Sequence, residues 1–295
     1  MKKGVFIGIV LLIGFLIWYL FVKPYDYLIT FKIKAIPGTI NQSIKLWNST
    51  LNDAHIIDSE DLNTITQRVK FNDSLLIYNW RITSLNDSIS KVKVYIKDET
   101  HSLKNKVEVL FINSNFKKRS KSSVKDFVSG LQDHIKNFKV TIDGKEGLDD
   151  TYCIYVLVKS SQFDKAKGMM IYYPLLTDFI VKNNIEPNGR PFVEVIDWNM
   201  KKDSIEYNFC FPIKNKDSLP IHKYLRYKQI DGFKALKATY NGNYITSDRA
   251  WYALQDYAKN NNIEITNKPV EVFHNNPNMG GDALQWEAEV YMPIK

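Results

Sequence analysis

"YPLLTDFIVKNNIEPNGRP" (Tyr173–Pro191) and "WYALQDYAKNNNIEITNKP" (Trp251–Pro269) are two versions of one pattern, and this repeat decides the fold of the C-terminal half. Repetition at a fixed offset is the signature of a repeated structural unit. The positions that are identical in the two versions are Leu176/Leu254, Asp178/Asp256, Asn183/Asn261, Asn184/Asn262, Ile185/Ile263, Glu186/Glu264 and Pro191/Pro269.

The segments that flank each repeat give both halves the same order of elements. In the first half, the strand-like "YCIYVLVKS" precedes the helix, and "RPFVEVID" and "SIEYNFCFPI" follow it. In the second half, "GFKALKATY", "KPVEVFHN" and "LQWEAEVYMPI" take these places around a helix in "SDRAWYALQDYAKN". We predict a duplicated strand-helix-strand-strand domain over residues 146–295, with a groove between its halves. Asp231-Gly232 is predicted as the turn of a hairpin that leads into the second half.

The final strand, "LQWEAEVYMPIK" (Leu284–Lys295), alternates between apolar and polar residues. Its even-numbered residues from Trp286 to Met292 are apolar and face one side, whereas Glu287, Glu289 and Tyr291 face the other. Two carboxylates and a phenol on one face either meet water or line a pocket. The residues alone leave both alternatives open.

Three segments resemble the GyrI-like effector-binding domain, which is also the ligand-sensing part of AraC-type and multidrug-responsive activators. They are "YNGNYITSDRAWYALQDYAKNNNIEI", "KPVEVFHNNP" and "EAEVYMPI". The resemblance implies that Glu289, four residues before the proline of the final "PI", lies in a central groove among aromatic rings. It also implies that Asn208 is the counterpart of Glu289 in the first half. The helix-turn-helix domain that usually accompanies this fold is absent from the sequence, which argues against direct transcriptional activation.

A carboxylate among aromatic rings attracts an ammonium group, and the ring faces cover its alkyl substituents. Each ring has the alternative of ordinary core packing. The predicted ligand-binding residues are Glu289, Tyr291, Trp251, Tyr173, Trp198, Glu287 and Asn208. No catalytic residue, metal ligand or cofactor is predicted, because the sequence contains no HExxH, no CxxC and no legible nucleophile–base pair.

Residues 24–145 predict a separate domain that contains a strand, a short helix, several antiparallel strands and a long amphipathic helix ending near Phe138. "KVEVLF" (Lys106–Phe111) is predicted as the last of these strands, and "DGKEGLDD" (Asp143–Asp150) as a linker. This order resembles the START-like helix-grip fold (SRPBCC, polyketide cyclase-like), which implies an apolar cavity under the long helix. The aromatic residues Tyr78, Trp80 and Phe127 either line such a cavity or fill it.

The N-terminus carries the strongest physical signal. Gly4 to Val22 is a run of 19 residues without a charge, which as a helix spans roughly 28 Å, about one hydrocarbon core. We predict an uncleaved single-pass anchor over residues 1–23, because "LFVKPYDY" offers no small-residue cleavage site for a signal peptidase. The short basic N-terminus predicts that the body lies outside the cytoplasm, although Lys23, Lys32 and Lys34 reduce the charge asymmetry. The fold class is thus α+β: a transmembrane helix, a helix-grip antiparallel sheet domain and a duplicated GyrI-like domain.

Charge and cysteine content restrict the partners. The net charge is +8, but the lysines are dispersed and no recognition-helix or ribonucleoprotein motif occurs, so no nucleic-acid partner is expected. The two cysteines, Cys153 and Cys210, lie in strand-like segments, and the sequence does not decide whether they form a disulfide. Gly4 and Gly8 form a small-xxx-small pair, so a homodimer stays among the alternatives.

Three functions fit these observations. The favoured one is a membrane-anchored, non-enzymatic binding protein for small amphipathic or cationic ligands in a groove centred on Glu289. The second is a GyrI-like hydrolase of small reactive molecules, in which Glu289 activates water and Tyr291 or Trp251 positions the substrate. The third is a carrier of lipid or another apolar ligand in the helix-grip domain.

Overall fold

The computed structural model describes residues 2–72 and 74–295, so Met1, the first residue of the predicted anchor, lies outside the described residues. The protein is α+β, with two antiparallel sheets and an N-terminal apolar helix. The chain divides into two compact units, Met1–Asp133 and His134–Lys295, which we call unit 1 and unit 2. This division precedes the predicted boundary at 145/146, because the strand that begins at Phe138 pairs within unit 2.

Unit 1 contains a five-stranded antiparallel sheet and four helices. The strands, in the sheet order β1-β5-β4-β3-β2, are β1 Tyr27–Ile33, β2 Ala54–Asp61, β3 Thr64–Phe71, β4 Ser74–Ser84 and β5 Ser90–Asp98. The helices are α1 Lys2–Ile17, which continues as a π-helical turn over Trp18–Val22, α2 Pro37–Thr50, α3 Ser102–Phe111 and α4 Asn115–His134.

Aromatic rings fill the core of unit 1. Tyr78 and Trp80 on β4 are fully buried, as period-2 alternation predicts. The Trp80 ring lies 4.9 Å from that of Phe127 on α4 and 6.1 Å from that of Trp47 on α2. The Trp80 indole N–H donates to the Gln67 side-chain oxygen at 3.2 Å, which satisfies its polar group. These rings therefore pack on one another and fill the core instead of lining a cavity.

The prediction of a strand over Lys106–Phe111 is wrong, because this segment lies in α3. The Asp98 carboxylate accepts hydrogen bonds from the backbone N–H groups of Thr100 and His101, at 2.9 and 3.1 Å, where the chain turns into the helix. It also accepts one from the Asn105 amide at 2.9 Å. These local bonds fix the turn into α3 and outweigh the β propensity of the valines in "KVEVLF".

One helix in the described part of the chain, Lys3–Val22, is long and apolar enough to cross a membrane. Its apolar side chains are exposed from Val5 to Trp18, with Phe6 and Leu11, for example, each more than two-thirds exposed. A signal sequence satisfies the same criterion of length and composition. The helix is thus a candidate membrane span.

Unit 2 contains an eight-stranded antiparallel sheet with the order β10-β7-β9-β8-β12-β13-β11-β6. The strands are β6 Phe138–Leu148, β7 Thr151–Ser161, β8 Phe192–Asn199, β9 Ser204–Pro212, β10 Arg226–Ile230, β11 Phe233–Gly242, β12 Val270–Phe273 and β13 Glu287–Pro293. The helices are α5 Lys165–Lys182 and α6 Arg249–Asn260, and both pack on one face, which we call the helix-covered face.

The predicted hairpin at Asp231-Gly232 is wrong, because β10 pairs with β7 and β11 pairs with β13 and β6. Six strand spacings, about 29 Å in a flat sheet, separate β10 from β11. The chain from Ile230 to Phe233 bridges at most about 11 Å. The sheet therefore curls at this end, and its helix-free face is concave.

The concave face holds an apolar cluster at its closed end. Cys153, Cys210, Ile230, Ala235 and Tyr291 belong to this cluster and are buried. Both cysteines are free thiols, and burial raises the pKa of Cys210 well above its ordinary value. The predicted linker Asp143–Asp150 is also wrong over most of its length, because β6 extends to Leu148 and its pairing with β11 closes this end.

The two repeated helices end in the same way. Asn184 and Asn262, which are equivalent in the repeat, both adopt left-handed backbone angles, with φ of 48° and 54°. The next residues, Ile185 and Ile263, donate their N–H groups back to the last helical turn. Asparagine tolerates this conformation better than most residues, which explains the Asn-Asn-Ile sequence at both sites.

Candidate functional site

A buried ion pair lies beneath the helices of unit 2. The ammonium of Lys165, the first residue of α5, contacts the Glu271 carboxylate on β12 and donates to Ser247 Oγ at 2.7 Å. The Trp251 indole N–H on α6 donates to the other Glu271 oxygen at 2.6 Å. All four side chains are buried, so this group is complete and dry. A lone acidic residue inside the apolar "VEVF" was the only sequence signal for it.

The ring of Trp198 joins the same interior layer. Its centroid lies 5.0 Å from that of Trp251, edge to face, and 5.3 Å from that of Tyr252. Its indole N–H donates to the Gln162 side-chain oxygen at 2.9 Å. Gln162 in turn bonds to the Asp248 carboxylate and the Tyr252 hydroxyl. Both tryptophans proposed from the sequence as ligand contacts thus have interior partners for their polar groups.

A cavity of about 340 Å³, which we call the aromatic pocket, opens on the helix-covered face of unit 2. Rings and thioethers form most of its wall: Met169, Met170, Tyr173, Phe209, Tyr244, Phe273 and Trp286. Amides and one guanidinium supply the polar part: Arg190, Asn243, Asn275, Asn276 and Asn278. A mostly apolar wall with a few polar groups is typical of small-molecule sites, and the volume suits a small ligand.

His274 belongs both to the pocket wall and to a charged group on the concave face. His274 Nε2 lies 3.1 Å from the Glu289 carboxylate, and Nδ1 lies 3.6 Å from that of Glu287. Lys237 lies 2.8 Å from Glu289, and the Tyr291 hydroxyl donates to Glu289 at 3.2 Å. We call these five residues the His274 cluster.

The electrostatics of the His274 cluster follow from partial burial. Burial alone lowers the pKa of Lys237, but its hydrogen bonds to Glu289 and Glu146 raise that pKa above its ordinary value. Burial, and then the neighbouring Glu289 charge, raise the pKa of Tyr291 to about 12. Lys237 is therefore a fixed cation shared between two carboxylates, and Tyr291 is a neutral phenol.

Asn208 lies elsewhere on the concave face. Its amide donates to the Glu194 carboxylate at 2.7 Å, and Lys228 donates to both oxygens of that carboxylate at 2.8 Å. Glu194 on β8 and Glu289 on β13 thus each hold a lysine on the same face of the sheet, as the strand register requires.

The structure places the seven predicted ligand residues at four locations. Glu287, Glu289 and Tyr291 lie together in the His274 cluster, and Tyr173 lines the aromatic pocket. Trp251 and Trp198 lie under the helices, and Asn208 lies beside Glu194. Sequence reasoning missed His274 and Lys237, because each is a single residue in an otherwise ordinary strand pattern.

The His274 cluster also offers a set of metal-ligating atoms. One atom each from His274, Glu287 and Glu289 lie within 4.8 Å of one another. One imidazole and two carboxylates can bind a divalent transition metal, but Lys237 already neutralises part of Glu289.

No protein-family model matches the sequence, and no curated protein matches it. Among solved structures, the chain is similar to the EcmrR C-terminal domain, with 15% identity over 54% of this chain and 98% of that one, at a TM-score of 0.44. It is similar to SAV2435 bound to tetraphenylphosphonium, with 12% identity over 53% and 94% and a TM-score of 0.37. It is also similar to a hydrolase from Listeria innocua, with 6% identity over 56% and 98% and a TM-score of 0.36.

Proposed function

We propose that unit 2 is a duplicated GyrI-like domain that binds a small amphipathic molecule, with the apolar part of the ligand in the aromatic pocket and a cationic group near the His274 cluster. The observation that carries the proposal is the place of His274. It joins an apolar cavity of about 340 Å³ to the carboxylates of Glu287 and Glu289.

The strand order supports the duplication. The two halves of the sequence pattern are β7-α5-β8-β9 and β11-α6-β12-β13. In the sheet their strands lie in the order β7-β9-β8 and β12-β13-β11, so the first, third and second strands of one half mirror those of the other about the antiparallel β8–β12 pair. This is the arrangement that a local twofold axis between equal halves produces. The repeated helix ends at Asn184 and Asn262 agree with it.

The ligand class follows from the charges and the lining. Lys237 is shared by the carboxylates of Glu146 and Glu289, and Glu287 adds a third carboxylate beside His274, so this part of the concave face carries excess negative charge. The methionines and rings of the pocket make soft contacts with apolar groups of varied shape. A hydrophobic organic cation suits both the apolar wall of the pocket and the carboxylates beside it.

Membrane anchoring through α1 is the second part of the proposed function. Lys106 is almost fully buried in unit 1, and its ammonium donates to the backbone carbonyls of Leu20 and Lys23, at 2.9 and 2.6 Å. Cleavage within the apolar run would remove a partner of this buried charge. The end of α1 is thus part of the folded unit, which favours an anchor over a removed signal peptide.

The test measures binding of benzyltrimethylammonium, a small aromatic cation, to the full chain in detergent. The readouts are the increase in melting temperature and isothermal titration calorimetry. Ala166→Phe is designed to fill the pocket, because Ala166 lies in its wall. We expect this variant to abolish stabilisation by the probe. Glu289→Gln is expected to weaken binding by about threefold to tenfold, the effect of losing one partly screened charge.

Glu264→Gln is the matched control, because it makes the same charge change at an exposed position of unit 2. Equal binding by the wild type, Ala166→Phe and Glu289→Gln contradicts the proposal. Loss of binding in Ala166→Phe alone places the ligand in the pocket but removes the role of the carboxylate.

A hydrolase is the second candidate, and the same imidazole favours it. His274 lies between two carboxylates beside the pocket, the arrangement of an oriented general base. Turnover of aryl esters or epoxides by the wild type, lost in His274→Gln with probe binding retained, would replace the binding function with catalysis.

A further inference from the structure

Helix α3 turns its apolar side outward. Leu103, Val107, Leu110 and Phe111 follow the spacing of one helical face and are all exposed, Phe111 by 80%. Ile112, just beyond the helix, extends this surface and is also exposed. The opposite side of α3 is buried and polar, at Asn105 and Lys106. A soluble helix normally has the reverse arrangement, so among the described residues of unit 1 the apolar stripe has no partner.

Helix α3 is bonded to the end of the apolar N-terminal helix. Lys106 donates to the carbonyls of Leu20 and Lys23, and the Tyr19 hydroxyl donates to the Lys106 carbonyl at 3.0 Å. The π-helical turn over Trp18–Val22 is the part of the anchor that α3 contacts. These bonds fix the position of α3 relative to the last turn of the candidate membrane span.

That last turn marks the level of the membrane surface. Lys3–Val22 is a 20-residue helix, about 30 Å long, so its two ends match the two boundaries of a hydrocarbon core. Trp18 and Tyr19 at its end are the residue types that concentrate at the interface. A helix bonded to Tyr19 and Leu20 therefore lies at the depth where interfacial amphipathic helices place their apolar side.

The charges beside the stripe fit an anionic lipid surface. Lys118 and Lys121 in the first turns of α4 are exposed, and so is Lys104 on α3, which also lies 3.8 Å from the Glu108 carboxylate. The ammonium of Lys117 donates to the Val109 carbonyl at 3.1 Å, which holds this basic segment against α3. Basic residues next to a membrane span attract acidic headgroups.

We propose that α3 is a second membrane contact, an interfacial helix that inserts Leu103, Val107, Leu110 and Phe111 into the bilayer surface beside the anchor and thereby seats unit 1 on anionic lipid. This inference rests on the proposed anchoring by α1. It gives a role to the basic segment Phe116–Ser123, which ligand binding in unit 2 does not use.

The test uses the full chain in nanodiscs with phosphatidylglycerol and phosphatidylcholine. The variant Phe111→Cys carries the fluorophore NBD on its new thiol, and brominated acyl chains serve as the quencher. Phe111 is exposed, so the replacement leaves the core intact, and the native cysteines are buried. Leu85→Cys is the matched control. Leu85 is an exposed apolar residue in the turn between β4 and β5, and the nine-residue strand β5 separates this turn from α3 by roughly 30 Å.

We expect the label at residue 111 to emit at shorter wavelength than the label at residue 85 and to lose most of its fluorescence to brominated lipid. Emission and quenching equal to those at residue 85 overturn the proposal. A third label at Leu12→Cys, inside α1, separates the two hypotheses. Quenching at 12 without quenching at 111 leaves the anchor and removes the interfacial helix, whereas quenching at neither position removes both.

Discussion

Glu271 and Glu289 lie on the neighbouring strands β12 and β13 but on opposite faces of the sheet, and each holds a lysine and an aromatic donor. Glu271 faces the helices, is fully buried, and has its oxygens occupied by Lys165, Ser247 and Trp251. The side chain of Glu289 faces the concave side, is 23% exposed, and shares Lys237 with the carboxylate of Glu146.

The difference shows what decides whether such a group is structural or available. At Glu271 one cation matches one anion with water excluded, so a ligand has no unmatched charge to meet and no route of access. At Glu289 one cation serves two carboxylates, and the adjoining His274 reaches a cavity. The residue types are nearly the same at the two sites. What differs is the burial of the carboxylate and the number of carboxylates that share one lysine.

The largest expected effect is the loss of the buried pair. Glu271→Gln leaves the Lys165 ammonium buried without its counter-ion, which costs roughly 3–5 kcal/mol of unfolding free energy. The measurement is the chemical-denaturation midpoint of the full chain in detergent. The double variant Lys165→Met/Glu271→Leu removes both charges and is expected to recover part of the loss. A single variant as stable as the wild type would show that water reaches this pair.

A smaller effect is expected from the indole donor. Trp251→Phe leaves one oxygen of Glu271 without its hydrogen bond, and we expect a loss of about 1–3 kcal/mol. Trp198→Phe is the matched control, because that indole donates to the neutral amide of Gln162. If both variants lose the same stability, the charge on Glu271 contributes nothing beyond packing.

Local pattern predicted much of the fold of unit 2. Alternation assigned the faces of β13 correctly, since Ala288, Val290 and Met292 are fully buried under the helices and Glu289 is on the other face. The element orders β7-α5-β8-β9 and β11-α6-β12-β13 are also as predicted. These features depend on residues close in sequence, where side-chain period is sufficient.

The buried pair and the curl of the sheet could not be predicted in this way. Lys165 and Glu271 are 106 positions apart, and neither has a local feature that names its partner. The turn signal of Asp231-Gly232 is local too, but the two strands that it joins are placed by the pairing of β10 with β7 and of β11 with β13 and β6. In α3, the long-range bonds from Lys106 to the Leu20 and Lys23 carbonyls stabilise a helix where the valines favoured a strand.

Low pH tests the effect of placing a charge on a partly buried side chain of unit 2, the imidazole of His134. Burial, and then the charge of Arg249, lower the pKa of His134 from 6.5 to about 4. A lowered histidine pKa means that the unfolded chain binds the proton first, so this stability is present above pH 6.5 and is lost as pH falls from 6.5 to 4. Because the ring is partly solvated, we expect a loss on the order of 1 kcal/mol.

The pH dependence of the denaturation midpoint checks this expectation. His134→Gln is expected to flatten the profile between pH 6.5 and 4, and His55→Gln, an exposed histidine of unit 1, to leave it unchanged. An unchanged slope in His134→Gln would mean that another group titrates in this window.

The smallest effect on stability, and the sharpest contrast, is expected at Glu289. Glu289→Gln removes one of two carboxylates that share Lys237, so Glu146 still balances the ammonium, and the loss is at most about 1 kcal/mol. The same substitution at Glu271 leaves a lysine with no second carboxylate. The two variants, Glu271→Gln and Glu289→Gln, are measured in one denaturant series. Because the chemical change is the same, the ratio of their losses of unfolding free energy reports on burial and on the number of carboxylates per lysine. Equal losses would show that Glu289 is as structural as Glu271, and a ligand would then have to bind in the aromatic pocket without its help.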